Sequence, residues 1–183
     1  MEGLSIPVFY TDMSPRGRRR KEARTGENGA VEQKLRELGY ALPARPEGGG
    51  SYVHVKEFGD GLAYVSGCGP ELDGVLAFRG QMGAEVSLEE ARQCAVHCVL
   101  NVLSALKLHL DSLDRVKSFV KMTVFVACPP GQADIPRAAD GATWLLEQLF
   151  GRERGVPTRT TVGVTALADH FPVELEVLVE LYK

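Results

Sequence analysis

The run Val173-Glu-Leu-Glu-Val-Leu-Val-Glu-Leu181 constrains the fold of this chain more than any other segment. Val173, Leu175, Val177, Val179 and Leu181 recur at every second position, the period at which strand side chains return to one face. One face of this strand must therefore enter a core, while Glu174, Glu176 and Glu180 share the other. A sheet that is apolar on one face needs a second layer laid over that face. Val116 to Ala127 is also strand-like, rich in Val, Phe and Thr, and reads as a central strand ended by Pro129-Pro130-Gly131.

Two helices are available as the second layer. Ser87-Leu-Glu-Glu90 has the spacing of a capping box, in which a hydroxyl accepts from an orphan N–H and the glutamate reaches back. Leu88, Ala91, Ala95, Val99, Val102 and Leu106 then recur at helical spacing. A second helix is expected from about Pro136 to Phe150, with Trp144 packing. Val31 to Gly39 reads as a short amphipathic helix with Val31, Leu35 and Leu38 on one face. Pro43 to Gly50 reads as a linker. Strands are expected from Tyr52, over Leu62 to Ser66 after the Gly59-Asp-Gly61 turn, and from Arg159 to Ala166. A further hairpin is expected at Asp73-Gly74, reaching Phe78. The expected fold is α+β: a single mixed β-sheet with two long helices packed on one face, plus the short N-terminal helix.

With 183 residues, the chain fits one domain at 31–183 and a basic tail at 1–30. The tail, with Arg16, Arg18, Arg19, Arg20 and Lys21, has no apolar period and is expected to be disordered and solvated. As a targeting signal it could direct the chain to the nucleus. A mitochondrial presequence fits less well, because Glu2 and Asp12 are acids. Residues 31–183 carry 15 basic and 20 acidic groups, an acidic body that argues against nucleic-acid binding. No uninterrupted apolar run approaches the roughly 18 residues that read as a membrane span. A cytoplasmic location, without a membrane partner, is the expectation.

The four cysteines, Cys68, Cys94, Cys98 and Cys128, do not have the spacing of a disulfide framework or a zinc site. Cys94 and Cys98 share a helix face and read as small buried hydrophobes. No metal ligand set is expected. Arg159 stands where a strand begins, and a fixed guanidinium there could grip a carboxylate in two-pronged fashion.

Four segments resemble one family. Pro157-Thr-Arg159-Thr-Thr-Val-Gly-Val with Val173-Glu174-Leu-Glu-Val177 resembles the C-terminal signature of the reactive-intermediate deaminase (Rid, YjgF or L-PSP) family. Tyr64-Val-Ser66-Gly67 resembles its second strand, Val116 to Val126 its central strand, and Asp140-Gly-Ala142 with Phe150-Gly151 its second helix. The resemblance runs from Val31 to Lys183 and points to the longer, chorismate-mutase-like subgroup. It implies a homotrimer with clefts between subunits and hydrolysis of 2-imino acids, such as those from 2-aminoacrylate, to 2-keto acids and ammonia. No cofactor is implied. It places Arg159 on the substrate carboxylate and Glu174 on the attacking water. Tyr52, Ser66, Gly67, Asp140 and Thr161 line the substrate site, with Asp140 where the family usually has asparagine. The alternatives are a trimeric protein that binds a small carboxylate without turnover and, further off, an endoribonuclease or translation inhibitor.

Overall fold

The computed structural model describes residues 29–44 and 51–183. Residues 1–28 of the basic tail and most of the Pro43–Gly50 linker lie outside those residues; Ala30, assigned to the tail, instead opens the first helix. The described elements are α1 (Ala30–Glu37), β1 (Val55–Phe58), β2 (Leu62–Cys68), α2 (Leu88–Leu110), β3 (Val116–Ala127), α3 (Ile135–Ala138), α4 (Asp140–Gly155), β4 (Thr158–Val164) and β5 (Val173–Leu181). They form one five-stranded sheet in the order β1-β2-β5-β3-β4. Only the β3–β4 pair is parallel, so the sheet is mixed. A parallel pair requires a crossover, and α3 with α4 supply it.

β5 alternates as its sequence requires. Val173, Leu175, Val177, Val179 and Leu181 are buried, and the intervening residues, Leu178 among them, are only partly so. The buried face of the sheet, with Val65, Met122, Val124, Leu175 and Val177, packs against α2 and α4. Fully burying an aliphatic side chain of this size stabilises by about 1.5–3 kcal/mol, so this layer carries most of the fold.

The Ser87 box forms as expected. Ser87 Oγ accepts from the Glu90 N–H, and the Glu90 carboxylate accepts from the Ser87 N–H at 2.7 Å. By length and mean hydropathy α2 would suffice to cross a bilayer, which a search for unbroken apolar runs misses; in this fold it is the buried core helix. The second helix is split. α3 is one short turn, and α4 starts at Asp140 and leaves helical geometry at Gly151, one residue past the expected end at Phe150. α4 crosses α2 at Gly141, where an added Cβ would lie 2.2 Å from the Arg92 carbonyl oxygen. Only glycine permits that approach, and it fixes Asp140 and Thr143 against the sheet edge.

Several boundaries differ from expectation; β2, for one, runs on to Cys68 rather than ending at Ser66. The Asp73-Gly74 turn forms, with Leu72 and Val75 exchanging backbone hydrogen bonds, but it is an isolated bridge and adds no strand. Leu72 packs against the core while Val75 stays exposed, so the contact does not extend into a strand. β1 begins at Val55 rather than Tyr52, although the Ser66 N–H still donates to the His54 carbonyl. β4 is one residue longer at its start and ends at Val164.

Candidate functional site

The sequence-derived site residues fall into two groups. The first surrounds Arg159 on edge strand β4. Arg159 sits opposite Met122, a fully buried residue, and therefore points to the helix-covered face. Its Nη1 donates to Thr143 Oγ1 at 2.9 Å. Its Nη2 donates to the Pro136 carbonyl at 3.1 Å and to Asp140 Oδ1 at 2.9 Å. Thr161, two residues on and opposite buried Val124, faces the same way. Arg159 and Asp140 are thus in direct contact, and Thr161 lies on the same face of the sheet. Thr143 and the Pro136 carbonyl were not anticipated. Thr143 lies three residues beyond Asp140, the interval that places two side chains on one helix face, and that spacing was the available signal.

Arg159 is 22% exposed and Asp140 52%. The pair is charge-assisted and partly wet. A guanidinium has two double-donor edges, and both use Nη2. Here both Nη2 hydrogens are engaged, one by Asp140. A ligand carboxylate seeking a two-pronged grip must displace a resident acceptor, and the half-exposed Asp140 side chain is the movable one.

The second group lies on the opposite face of the sheet. Between Val65 and Cys68, β2 shifts register against β5, with Ser66 and Gly67 spanning the step. Such bulges bend a strand and re-aim what it carries. Here the step presents Gly67 directly to Glu174: a Cβ at Gly67 would lie 1.9 Å from Glu174 Oε1. Glycine inside a strand pattern marks a bulge or a close approach, so this contact was partly legible. Ser66 Oγ is buried without a hydrogen-bond partner among the described residues, and so are both ring nitrogens of His54. His54 was not anticipated. Exposed Tyr52 packs edge-on to its ring with centroids 5.4 Å apart.

Glu174 faces away from the helices, opposite Phe125, with Glu176 two residues on opposite Thr123. Burial, and then the like charge of Glu176, raise the Glu174 pKa above the usual carboxylate range. Burial and a hydrogen bond to Glu176 hold the Tyr64 phenol up to about 12. Among the described residues Glu174 has no ion-pair partner. This face therefore carries a partly buried carboxylate held against a glycine, with an unpartnered hydroxyl and imidazole on the neighbouring β1–β2 segment.

Cys68, Cys94 and Cys98 are buried beneath this group. Burial, then the nearby charge of Glu174 or Glu90, pushes the Cys68 and Cys94 thiols up to about 12, and Cys98 is raised well above its usual value. Such thiols are poor nucleophiles. Cys98 instead donates to the Val173 carbonyl at 3.4 Å. Among the described residues no three His, Cys, Asp or Glu side chains converge as a metal site.

The sequence profile described as Endoribonuclease L-PSP matches residues 43–181. The chain belongs to that family. Protein TCP17 of Trypanosoma cruzi is 38% identical over 154 residues, covering 84% of this chain and 96% of that protein. Among solved structures, Atu1372 of Agrobacterium tumefaciens, described as of unknown function, is 31% identical with a TM-score of 0.77, over 84% of this chain and 93% of its own. A Shewanella oneidensis protein named as an endoribonuclease is 26% identical with a TM-score of 0.79, over 84% and 100%. This L-PSP member thus has the family and the mixed-sheet fold expected from its four motifs.

Proposed function

We propose that this chain is an enamine/imine deaminase that hydrolyses reactive 2-imino acids to 2-keto acids and ammonia. One observation carries the reading. Glu174 is a half-buried carboxylate with a raised pKa, held against Gly67 and, among the described residues, without an ion-pair cation. It is a base waiting for a water. In its ionised form it takes a proton from water as the oxygen adds to the C=N carbon. The tetrahedral adduct then expels ammonia, which carries away a proton, and the carbonyl forms. In sum, R–C(=NH2⁺)–COO⁻ and water give R–CO–COO⁻ and NH4⁺, with no redox change and no cofactor. A positioned base contributes about 10²–10⁴ in rate.

Arg159 supplies the carboxylate grip. Because it projects from the face opposite Glu174, a pocket containing both takes Arg159, Asp140 and Thr161 from one copy and Tyr52, Ser66, Gly67 and Glu174 from another. A homotrimer with clefts between subunits meets that requirement, and sedimentation should give the mass of three chains.

The test is imine decay. When a dehydratase generates 2-aminoacrylate, the wild-type protein should accelerate keto-acid formation. Arg159→Ala should lose roughly 10-fold or more, in line with one charge-assisted hydrogen bond of about 1.5–3 kcal/mol. Wild-type rates equal to the protein-free control would overturn the reading. Saturable binding of 2-keto acids without any acceleration would establish the alternative, a carboxylate-binding protein.

A further inference from the structure

The Arg159 half of the site is not a bare cation. Asp140 Oδ1 lies 2.9 Å from Arg159 Nη2, and Asp140 Oδ2 has no hydrogen bond or ion pair among the described residues. The side chain is half exposed, so that second oxygen can take a partner. The other charges near this half, Arg137 and Asp134, stand close to each other, 3.8 Å apart and both exposed, and cancel. The Glu174 half adds Glu174 and Glu176; Lys121 shares their sheet face but donates to Thr160 Oγ1, and among the described residues neither glutamate has a cation in ion-pair contact.

Once the two halves meet, two cations, Arg159 and Lys121, stand against three carboxylates, Asp140, Glu174 and Glu176. A substrate whose only charges are a carboxylate and an iminium is net neutral, and its carboxylate must compete with Asp140 for Arg159. A substrate with an additional cation resolves both difficulties. Its carboxylate takes Arg159 while its side-chain cation takes Asp140, so the displaced acid keeps a partner. Resting on the deaminase reading above, we infer that Asp140 makes this site selective for 2-imino acids with a cationic side chain, a guanidinium or ammonium. The net reaction remains the hydrolysis written above, with the side-chain cation unchanged. Asp140 is also the first residue of α4, where an acid complements the helix dipole. That role alone would affect stability without sorting substrates by charge.

The experiment compares 2-imino acids made in situ by an amino-acid oxidase from arginine and from norleucine, with full-length wild-type, Asp140→Asn and Asp140→Glu proteins. Wild type should favour the arginine-derived imine in kcat/KM by roughly fivefold or more, the size expected of one partly exposed ion pair. Asp140→Asn should bring the ratio near one, chiefly by improving the norleucine-derived substrate, while Asp140→Glu keeps the preference. A wild-type ratio at or below one, or a ratio unchanged in Asp140→Asn, overturns the inference. If no imine is turned over, the deaminase reading fails by itself. Calorimetric binding of the two corresponding 2-keto acids then decides selectivity: tighter binding of the guanidino keto acid, lost in Asp140→Asn, sustains it, and equal or absent binding overturns it.

Discussion

The two halves of the candidate site place charge in opposite ways. Around Arg159 the cation is held in place: a threonine, a carbonyl and an aspartate fix the guanidinium on a strand edge. Around Glu174 interactions are withheld. The carboxylate is desolvated, sits two residues from another glutamate and touches a backbone with no side chain. The half that holds its cation is suited to position a ligand. The unsatisfied half is suited to react, because a base poised closer to neutral pH exchanges protons more effectively. That the halves lie on opposite sheet faces explains how one small domain carries both without Arg159 neutralising Glu174.

Removing the reactive carboxylate should break the contrast most completely. Glu174→Gln should lower kcat for imine hydrolysis by about 10²–10⁴ and leave 2-keto-acid binding nearly intact, measured by single-turnover kinetics and calorimetry. It should not cost stability. A carboxyl with a raised folded-state pKa stabilises the fold below its unfolded pKa, and that contribution is lost as pH rises through the folded value. At neutral pH the glutamine variant should therefore melt at or above the wild-type Tm. A large drop would mean that Glu174 has an unseen cation. Gly67→Ala comes next. The added methyl must push the Glu174 carboxylate aside, and a misplacement of about an ångström can cost on the order of 10²-fold in rate. Circular dichroism should remain unchanged, because the clashing atom is the end of a flexible side chain.

The mildest effect should come from Glu176→Gln. Glu176 contributes to the raised pKa of Glu174, so its removal should move the acid limb of the pH–rate profile to lower pH. Activity should fall as pH drops through the Glu174 pKa in both proteins, with the limb lower in the variant. An unmoved limb would show that desolvation alone sets it.

The fold was legible where one physical signal dominated. Strict alternation set β5 and its faces, the capping box set the start of α2, and Pro129 ended the β3 run. The face of Arg159 was not legible. β4 reads Thr-Arg-Thr-Thr-Val-Gly-Val and lacks apolar alternation, so nothing local chooses which way Arg159 points. Its orientation comes from pairing with Met122, a contact across 37 residues of chain. The bulge at Ser66-Gly67 was hidden for a similar reason: a register shift is a property of two strands. Choosing Glu174 over Glu176 needed the family resemblance, because both share one face. The geometry now distinguishes them, since only Glu174 meets Gly67.

The strand order carries a consequence for how the sheet holds together over time. β1 and β2 form one hairpin, β3 and β4 one parallel pair, and the two units share no strand-to-strand bond except through β5. The ladder cannot close until β5 is inserted between β2 and β3, a join that brings Leu62 beside Glu180. Such distant contacts are slow to form, because the entropy of closing the loop is lost before the pairing is gained. Amide exchange should therefore find β5 among the last segments to open. Glu174, borne on that strand, would stay in place while the edge carrying Arg159 breathes.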